Sequence, residues 1–307
     1  MIRLAVRVRP QQAEIVLAEL LEIAPSGLEE VRTQDGAVEF AIYGPPGEIP
    51  SLPALEAAAG GALVEVSTTE IADDWPTRWK QFHRPILIRA PASLACGGEQ
   101  GRAGRGGPPA PALRIRPPWE APGTRCAGGV EDIVIEPGQA FGTGAHASTQ
   151  LCLQLLLGLA ACGTRAPLVD VGTGSGVLAI AAARLGFAPV VGLDHDRDSV
   201  SAAQLNVAAN RVCVEVRRFD IRSRPLVAIA EDGDRASSTV VVANLLLPLL
   251  LELAQQMAFT PRHLLAGGLL REQAAEAADA FRARHGMCVQ STIEQGEWAA
   301  LWLAREQ

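Results

Sequence analysis

LVDVGTGSGVL, residues 168–178, is the stretch whose reading decides the fold. Its apolar, β-branched opening (Leu168, Val169, Val171) reads as a buried strand that stops in three glycines, Gly172, Gly174 and Gly176. Residues 177–184 carry no helix breaker and read as a helix. Glycine at the end of a buried strand lets the backbone turn sharply and lie against a ligand with no Cβ in the way. Twenty-two residues after Gly172, the next apolar run, 190–193, ends in Asp194. An acid at that tip can accept hydrogen bonds from both hydroxyls of a ribose. The pattern predicts a nucleoside-binding crevice and leaves open whether the nucleoside carries a nicotinamide or a methyl donor.

Working outward, helices and strands alternate from residue 149 on. Helix 149–158 leads to strand 168–171, helix 177–184, strand 190–193, helix 199–210 and strand 213–217. Strand 239–243, helix 246–257, strand 263–266 and helix 272–284 follow, and a hairpin, 289–293 with 298–304, closes the chain. Strands separated by helices imply a parallel sheet, to which the hairpin adds an antiparallel edge. The larger unit, 84–307, begins with strands 86–89 and 113–116. A Gly/Pro-rich insertion at about 91–112 joins them and lacks the large apolar residues needed to order itself. Residues 71–83 read as a helical linker with Trp75, Trp79 and Phe82 on one face. The first 70 residues show strand 2–8, helix 13–23, strands 28–32 and 37–43 about an Asp35-Gly36 turn, helix 53–59 and strand 62–67. That β-α-β-β-α-β order is the one of a small ferredoxin-like α+β domain.

Composition bounds the function classes. A chain of 307 residues with 48% hydrophobic and 20% charged residues can bury a sizeable core. A net charge of −7 argues against a nucleic-acid footprint, which is usually basic. The six cysteines (Cys96, Cys126, Cys152, Cys162, Cys213, Cys288) are scattered without a CxxC pair, so free thiols and a reducing, cytoplasmic setting are expected. The N-terminus lacks a signal-peptide apolar block, and no run of 18 uninterrupted apolar residues suggests a membrane partner.

The glycine spacing discriminates between nucleosides. Dehydrogenases use G-x-G-x-x-G, whereas here the spacing is G-x-G-x-G with Val177 in the third glycine's place. A pyrophosphate needs a run of free N–H groups at the helix start. A tighter, bulkier turn favours a phosphate-free ligand such as S-adenosylmethionine over a dinucleotide. Asn244 follows the strand 239–243 at the carboxyl edge of the sheet and offers an acceptor and two donors to an incoming amine; alternatively it caps the next helix. A glycine-rich segment, 136–149, ends in Ser148 and Thr149 and has the composition of a lid over the crevice, with His146 and the Gly142-Thr143-Gly144 turn facing the ligand.

AFGTGAHAST, VDVGTGSGVLAIAA, GLDHD, VVANLL and the late GEW at 296–298 occur in this order and spacing. With them the chain resembles the bacterial methyltransferases of large-subunit ribosomal protein eleven, the PrmA family. The resemblance runs from the linker to the end of the chain, apart from the insertion. It implies a Rossmann-like class I methyltransferase domain that uses S-adenosylmethionine to methylate lysine side chains and an N-terminal amine of that protein, with the N-terminal domain (1–70) recognising the substrate. Carried over residue by residue, the cofactor positions are Thr149, Gly172, Asp194 and Asn244; the glycine turn itself adds Gly174, and the donors and acceptor of Asn244 add the positioning of the amine. The chain has Ala147-Ser148-Thr149 where the family usually has a Pro-Thr-Thr type sequence, and Ala266-Gly267-Gly268-Leu269 where it commonly has Ser-Gly-Ile. The alternatives are a paralogue acting on another protein, a nicotinamide-dependent oxidoreductase and a non-catalytic cofactor-binding scaffold.

Overall fold

The computed structural model describes residues 2–13, 16–17, 20, 28–32, 37–44, 50, 53, 55, 63–70, 83–91, 94, 112–122, 130–137, 144–228 and 238–305. These divide into two compact units, Met1–His83 and Arg84–Gln307. The Asp35-Gly36 turn, most of the 71–83 linker, most of the 91–112 insertion and the Gly142-Thr143 part of the lid lie outside the described residues.

In the first unit β1 (Ile2–Val8) lies between β3 (Val38–Gly44) and β4 (Leu63–Glu70), with β2 (Leu28–Arg32) beyond β3. Every pairing is antiparallel. The order β2-β3-β1-β4 is the one a ferredoxin-like unit produces. Alternation along β1 sends Leu4, Val6 and Val8 into a core with Phe40, Ile42, Val16, Leu20 and Leu55. Arg3 and Arg7 take the other face and pair with Glu39 and Glu65. Of the two predicted helices only Ala13, Val16, Leu17 and Leu20, and Pro53 and Leu55, are described, all helical.

The second unit is built on a seven-stranded sheet. Its strands are β8 (Leu168–Val171), β9 (Val190–Asp194), β10 (Glu215–Arg218), β11 (Val240–Asn244), β12 (His263–Leu270), β13 (Met287–Gln295) and β14 (Trp298–Arg305). They run β10-β9-β8-β11-β12-β14-β13, parallel from β10 to β12 and antiparallel through the hairpin. The chain leaves β8 for β9 and β10 on one side, then returns to β11 on the other. The carboxyl ends of β8 and β11 therefore flank the point where strand order reverses, the place where open α/β sheets bind ligands.

Both faces of the sheet are covered, as a parallel sheet requires. Val169, Val171, Val241 and Ala243 pack with Leu250 and Leu253 of α4 (Leu247–Gln256) and Phe281 of α5 (Ala274–His285). Their neighbours in sequence, Leu168, Val240 and Val242, face α1 (Ala147–Ala161), α2 (Val177–Arg184) and Val207 of α3 (Arg197–Asn210). Helix α1 is leucine-rich all round, and Leu151, Leu153, Leu155, Leu156 and Leu157 are all fully buried. A second, three-stranded sheet explains this: β5 (Ile86–Arg89), β6 (Ala112–Arg116) and β7 (Val130–Val134) contribute Ile88, Leu113, Ile115 and Ile133 to the same core. Gly158 gives Leu94 room against the helix, since a Cβ there would approach Leu94 to 2.8 Å.

Strand β7 was not anticipated. It pairs parallel with β6, and its VEDIV sequence alternates too weakly to announce itself. Helix α1 starts two residues earlier than expected and β12 runs four residues further, through a register shift between Ala266 and Leu269 that Gly268 (φ +79°) accommodates. Cys162 is disulfide-bonded, which corrects the expectation of free thiols there, whereas Cys152, Cys213 and Cys288 are free. No helix among the described residues is long and apolar enough to cross a membrane.

Candidate active site

The turn after β8 is held from inside the sheet. The N–H groups of Gly172 and Thr173 both donate to the Leu193 carbonyl, at 2.8 and 2.9 Å. Gly172, Gly174 and Gly176 have φ of +76°, +52° and +83°, values that L side chains rarely adopt. A Cβ on Gly172 would also collide with the Leu245 side chain, and one on Gly176 would press on Ala203 of α3 at 3.2 Å. Gly176 caps α2, so the close helix packing that dehydrogenases assign to a third glycine is achieved here one residue earlier. Replacing Gly172 with alanine combines a positive-φ penalty with overpacking. The expected loss is about 2–4 kcal/mol of folding stability, together with at least ~10-fold weaker cofactor binding, measured by chemical denaturation and calorimetry.

Asp170, which the sequence reading left unassigned, anchors the same turn. It is fully buried in β8 and accepts from Thr173 Oγ1 at 2.7 Å and the Ala179 N–H at 3.2 Å, both on Oδ2. Its Oδ1 has no partner among the described residues. Burial outweighs those bonds and pushes its pKa up to about 7. One acid within an otherwise apolar four-residue strand was the available signal.

Asp194 closes β9 and is 8% exposed. Its Oδ2 accepts from the Gly174 N–H at 2.9 Å and its Oδ1 from the Asp196 N–H at 3.0 Å. Two backbone donors thus fix the carboxylate; the exposed His195 also brings Nδ1 to 3.4 Å from Oδ1, and Oδ2 retains a lone pair for a ribose hydroxyl. Asp196 in turn caps α3 by accepting from the Ser199 N–H, and that bond holds its carboxyl below the usual range.

Asn244 and Thr149 meet across 95 residues of chain. Asn244 Nδ2 donates to Thr149 Oγ1 at 3.2 Å, and Thr149 is 2% exposed. The cap of α4 is Leu246, without a side-chain bond, so helix capping is not what Asn244 does. Its Oδ1 is buried and has no partner among the described residues. Gly267 leaves the space beside that oxygen: a Cβ there would collide with Cys152 and stand 3.2 Å from Asn244 Oδ1. His146 caps α1, its Nδ1 accepting from the Ser148 N–H at 3.3 Å, and stands edge-on to Trp298 with ring centroids 4.6 Å apart. Burial lowers its pKa, in keeping with a neutral acceptor.

The predicted site residues therefore form one chain of contacts. Thr149 bonds Asn244, the adjacent Leu245 covers Gly172, and Gly174 bonds Asp194. These residues gather at the carboxyl ends of β8, β9 and β11.

A family model described as ribosomal protein L11 methyltransferase (PrmA) matches residues 110–306. The chain is 36% identical over 252 residues to the ribosomal protein L11 methyltransferase of Geobacter sulfurreducens, a match covering 80% of this chain and 71% of that one. Its similarity to the protein of the same name from Myxococcus xanthus, 31% identical, covers 96% of each chain. The crystal structure of the ribosomal protein L11 methylase from Lactobacillus delbrueckii subsp. bulgaricus is similar with a TM-score of 0.54 at 28% identity, over 64% of this chain and 95% of that one.

Proposed function

Because the chain belongs to the PrmA family of ribosomal protein L11 methyltransferases, we propose that it methylates lysine side chains, and the N-terminal amine, of ribosomal protein L11 with S-adenosylmethionine as donor. The observation that carries this reading is Asn244 Oδ1, a buried acceptor with no partner among the described residues, one position from the Leu245 that covers the glycine turn. The site residues fit the donor: Asp194 offers lone pairs to its ribose, and the Gly172–Gly174 turn, whose positive φ values glycine permits, brings backbone to its amino-acid end. Bound there, the donor supplies a sulfonium methyl group for in-line displacement by an amine.

What remains for the protein is to select and aim a neutral amine. A lysine with its ordinary pKa of about 10.4 is neutral about once in 2,500 molecules at pH 7, a deficit of roughly 4–5 kcal/mol. A desolvated site near a positive sulfonium favours the neutral form and offsets that deficit, with the proton leaving to water before attack. Asn244 Oδ1 accepts one N–H of the amine and turns its lone pair towards the methyl carbon. Thr149 holds Nδ2 and so fixes the direction of the amide. The N-terminal unit recognises the protein substrate. A ribosomal-protein substrate puts the reaction in the cytoplasm.

The test is incubation of the purified chain with methyl-labelled donor and purified ribosomal protein L11. Label is expected on the unmodified protein and absent from a version with every lysine changed to arginine and the N-terminus acetylated. Label retained on that version would overturn the assignment to amines. Label appearing only on another protein in a ribosomal extract would instead identify a paralogue.

A further inference from the structure

Two asparagines sit one helical turn apart on the inward face of α3, Asn206 at 3% and Asn210 at 2% exposure. Buried amides are costly unless their bonds are satisfied, and both of these are bonded to backbone. Asn210 spends its amide on the free edge of β7 and on its own helix. Its Oδ1 accepts from the Val134 N–H at 2.8 Å, and its Nδ2 donates to the carbonyls of Val134 (2.6 Å) and Asn206 (2.8 Å). Asn206 does something different. Its Oδ1 accepts from the Glu136 N–H at 3.0 Å, while its Nδ2 donates to the Ser175 carbonyl at 2.9 Å. A backbone donor on one side and a backbone acceptor on the other leave only one orientation for the amide.

Glu136 opens the segment that leads to Thr149, and Ser175 lies between Gly174 and Gly176 in the cofactor turn. Flanked by two glycines at positive φ, the Ser175 peptide has little conformational preference of its own. Its N–H end, at Gly176, donates to the Thr173 carbonyl at 2.8 Å within the turn, and the bond from Asn206 holds its carbonyl end from outside. We propose that Asn206 is a positioning residue for methyl transfer: it ties the cofactor turn to the backbone at Glu136, so that donor affinity depends on it beyond its share in holding the fold. The proposal rests on the reading of this crevice as the S-adenosylmethionine site.

The experiment compares Asn206→Asp with Asn210→Ala in the full chain. An aspartate keeps the acceptor for the Glu136 N–H but turns an oxygen towards the Ser175 carbonyl. Binding of S-adenosylhomocysteine by calorimetry is expected to weaken at least tenfold in N206D and to stay within threefold in N210A, although both lower the melting temperature. In steady state N206D is expected to raise KM for the donor at least tenfold while kcat changes less than twofold. Asn206→Ala, which removes both bonds without adding charge, is expected to weaken binding at least tenfold as well and serves if N206D does not fold. Binding by N206D or N206A within threefold of the unsubstituted protein, or an equal loss in N210A, would overturn the proposal. Failure of the unsubstituted protein to bind S-adenosylhomocysteine at all would overturn the underlying site reading instead.

Discussion

Asp194→Ala is expected to weaken binding of S-adenosylmethionine about 100- to 1,000-fold. Each hydrogen bond from a ribose hydroxyl to an ionised carboxylate contributes about 1.5–3 kcal/mol, and in the lower part of that range losing two removes roughly 3–4 kcal/mol, or two to three decades in Kd. The substitution also frees the N–H groups of Gly174 and Asp196, which now donate to the carboxylate. Part of the loss therefore comes from the turn itself. Asp194→Asn keeps the shape, loses the charge and leaves one of those two N–H groups facing an amide NH2, and binding at least about tenfold weaker is expected. Calorimetry reads both affinities, and a melting curve for each variant reports the cost to the fold. An alanine variant binding within threefold of the unsubstituted chain would refute the ribose assignment.

The second large effect falls on turnover. Removing one preorganised hydrogen-bonding group from a site typically lowers kcat by about 10²–10³, and Asn244→Ala is expected to lie in that range, with donor affinity reduced no more than about tenfold. The asymmetry follows from its contacts: Nδ2 is held by Thr149 and Oδ1 is left for the amine. Asn244→Asp sharpens the test. A carboxylate beside the amine favours the ammonium form and raises its pKa, so activity should appear only at higher pH than in the unsubstituted enzyme. Rates measured between pH 7 and 10 on saturating substrate check this. A kcat for N244A within fivefold of the original would remove Asn244 from amine positioning.

The sequence carried those features that repeat along the chain and hid those that arise from contact across it. The strand–glycine–helix unit was legible because a buried parallel strand, its glycines and its helix follow one another directly, and 177–184 was read to the residue. Asp194 was legible because the second strand must end level with the first. The Thr149–Asn244 bond was not, since it joins residues 95 apart whose types equally suit two helix starts. Asp170 went unassigned for a related reason: an acid in a strand looks like an edge, and only three-dimensional burial shows that it lies at the centre of the sheet. Strand β7 escaped because the end of its free edge is satisfied by the side chain of Asn210 on α3. No pattern within 130–134 announces partners about 70 residues away.

Helix α1 also has a consequence for how the protein is made. It is leucine-rich over most of its circumference, with only a narrow stripe of Gln150 and Gln154 less buried, and it packs against β5 as well as β12 and β14. Translation delivers the helix about 100 residues before β12 exists, so at roughly 5–20 residues per second its sheet-facing leucines await their partners for some 5–20 s. During that interval the nascent chain carries an adhesive apolar rod, and the closing C-terminal hairpin is what finally conceals it. Truncation between α1 and β12 therefore leaves those leucines without β12 or β14 to cover them.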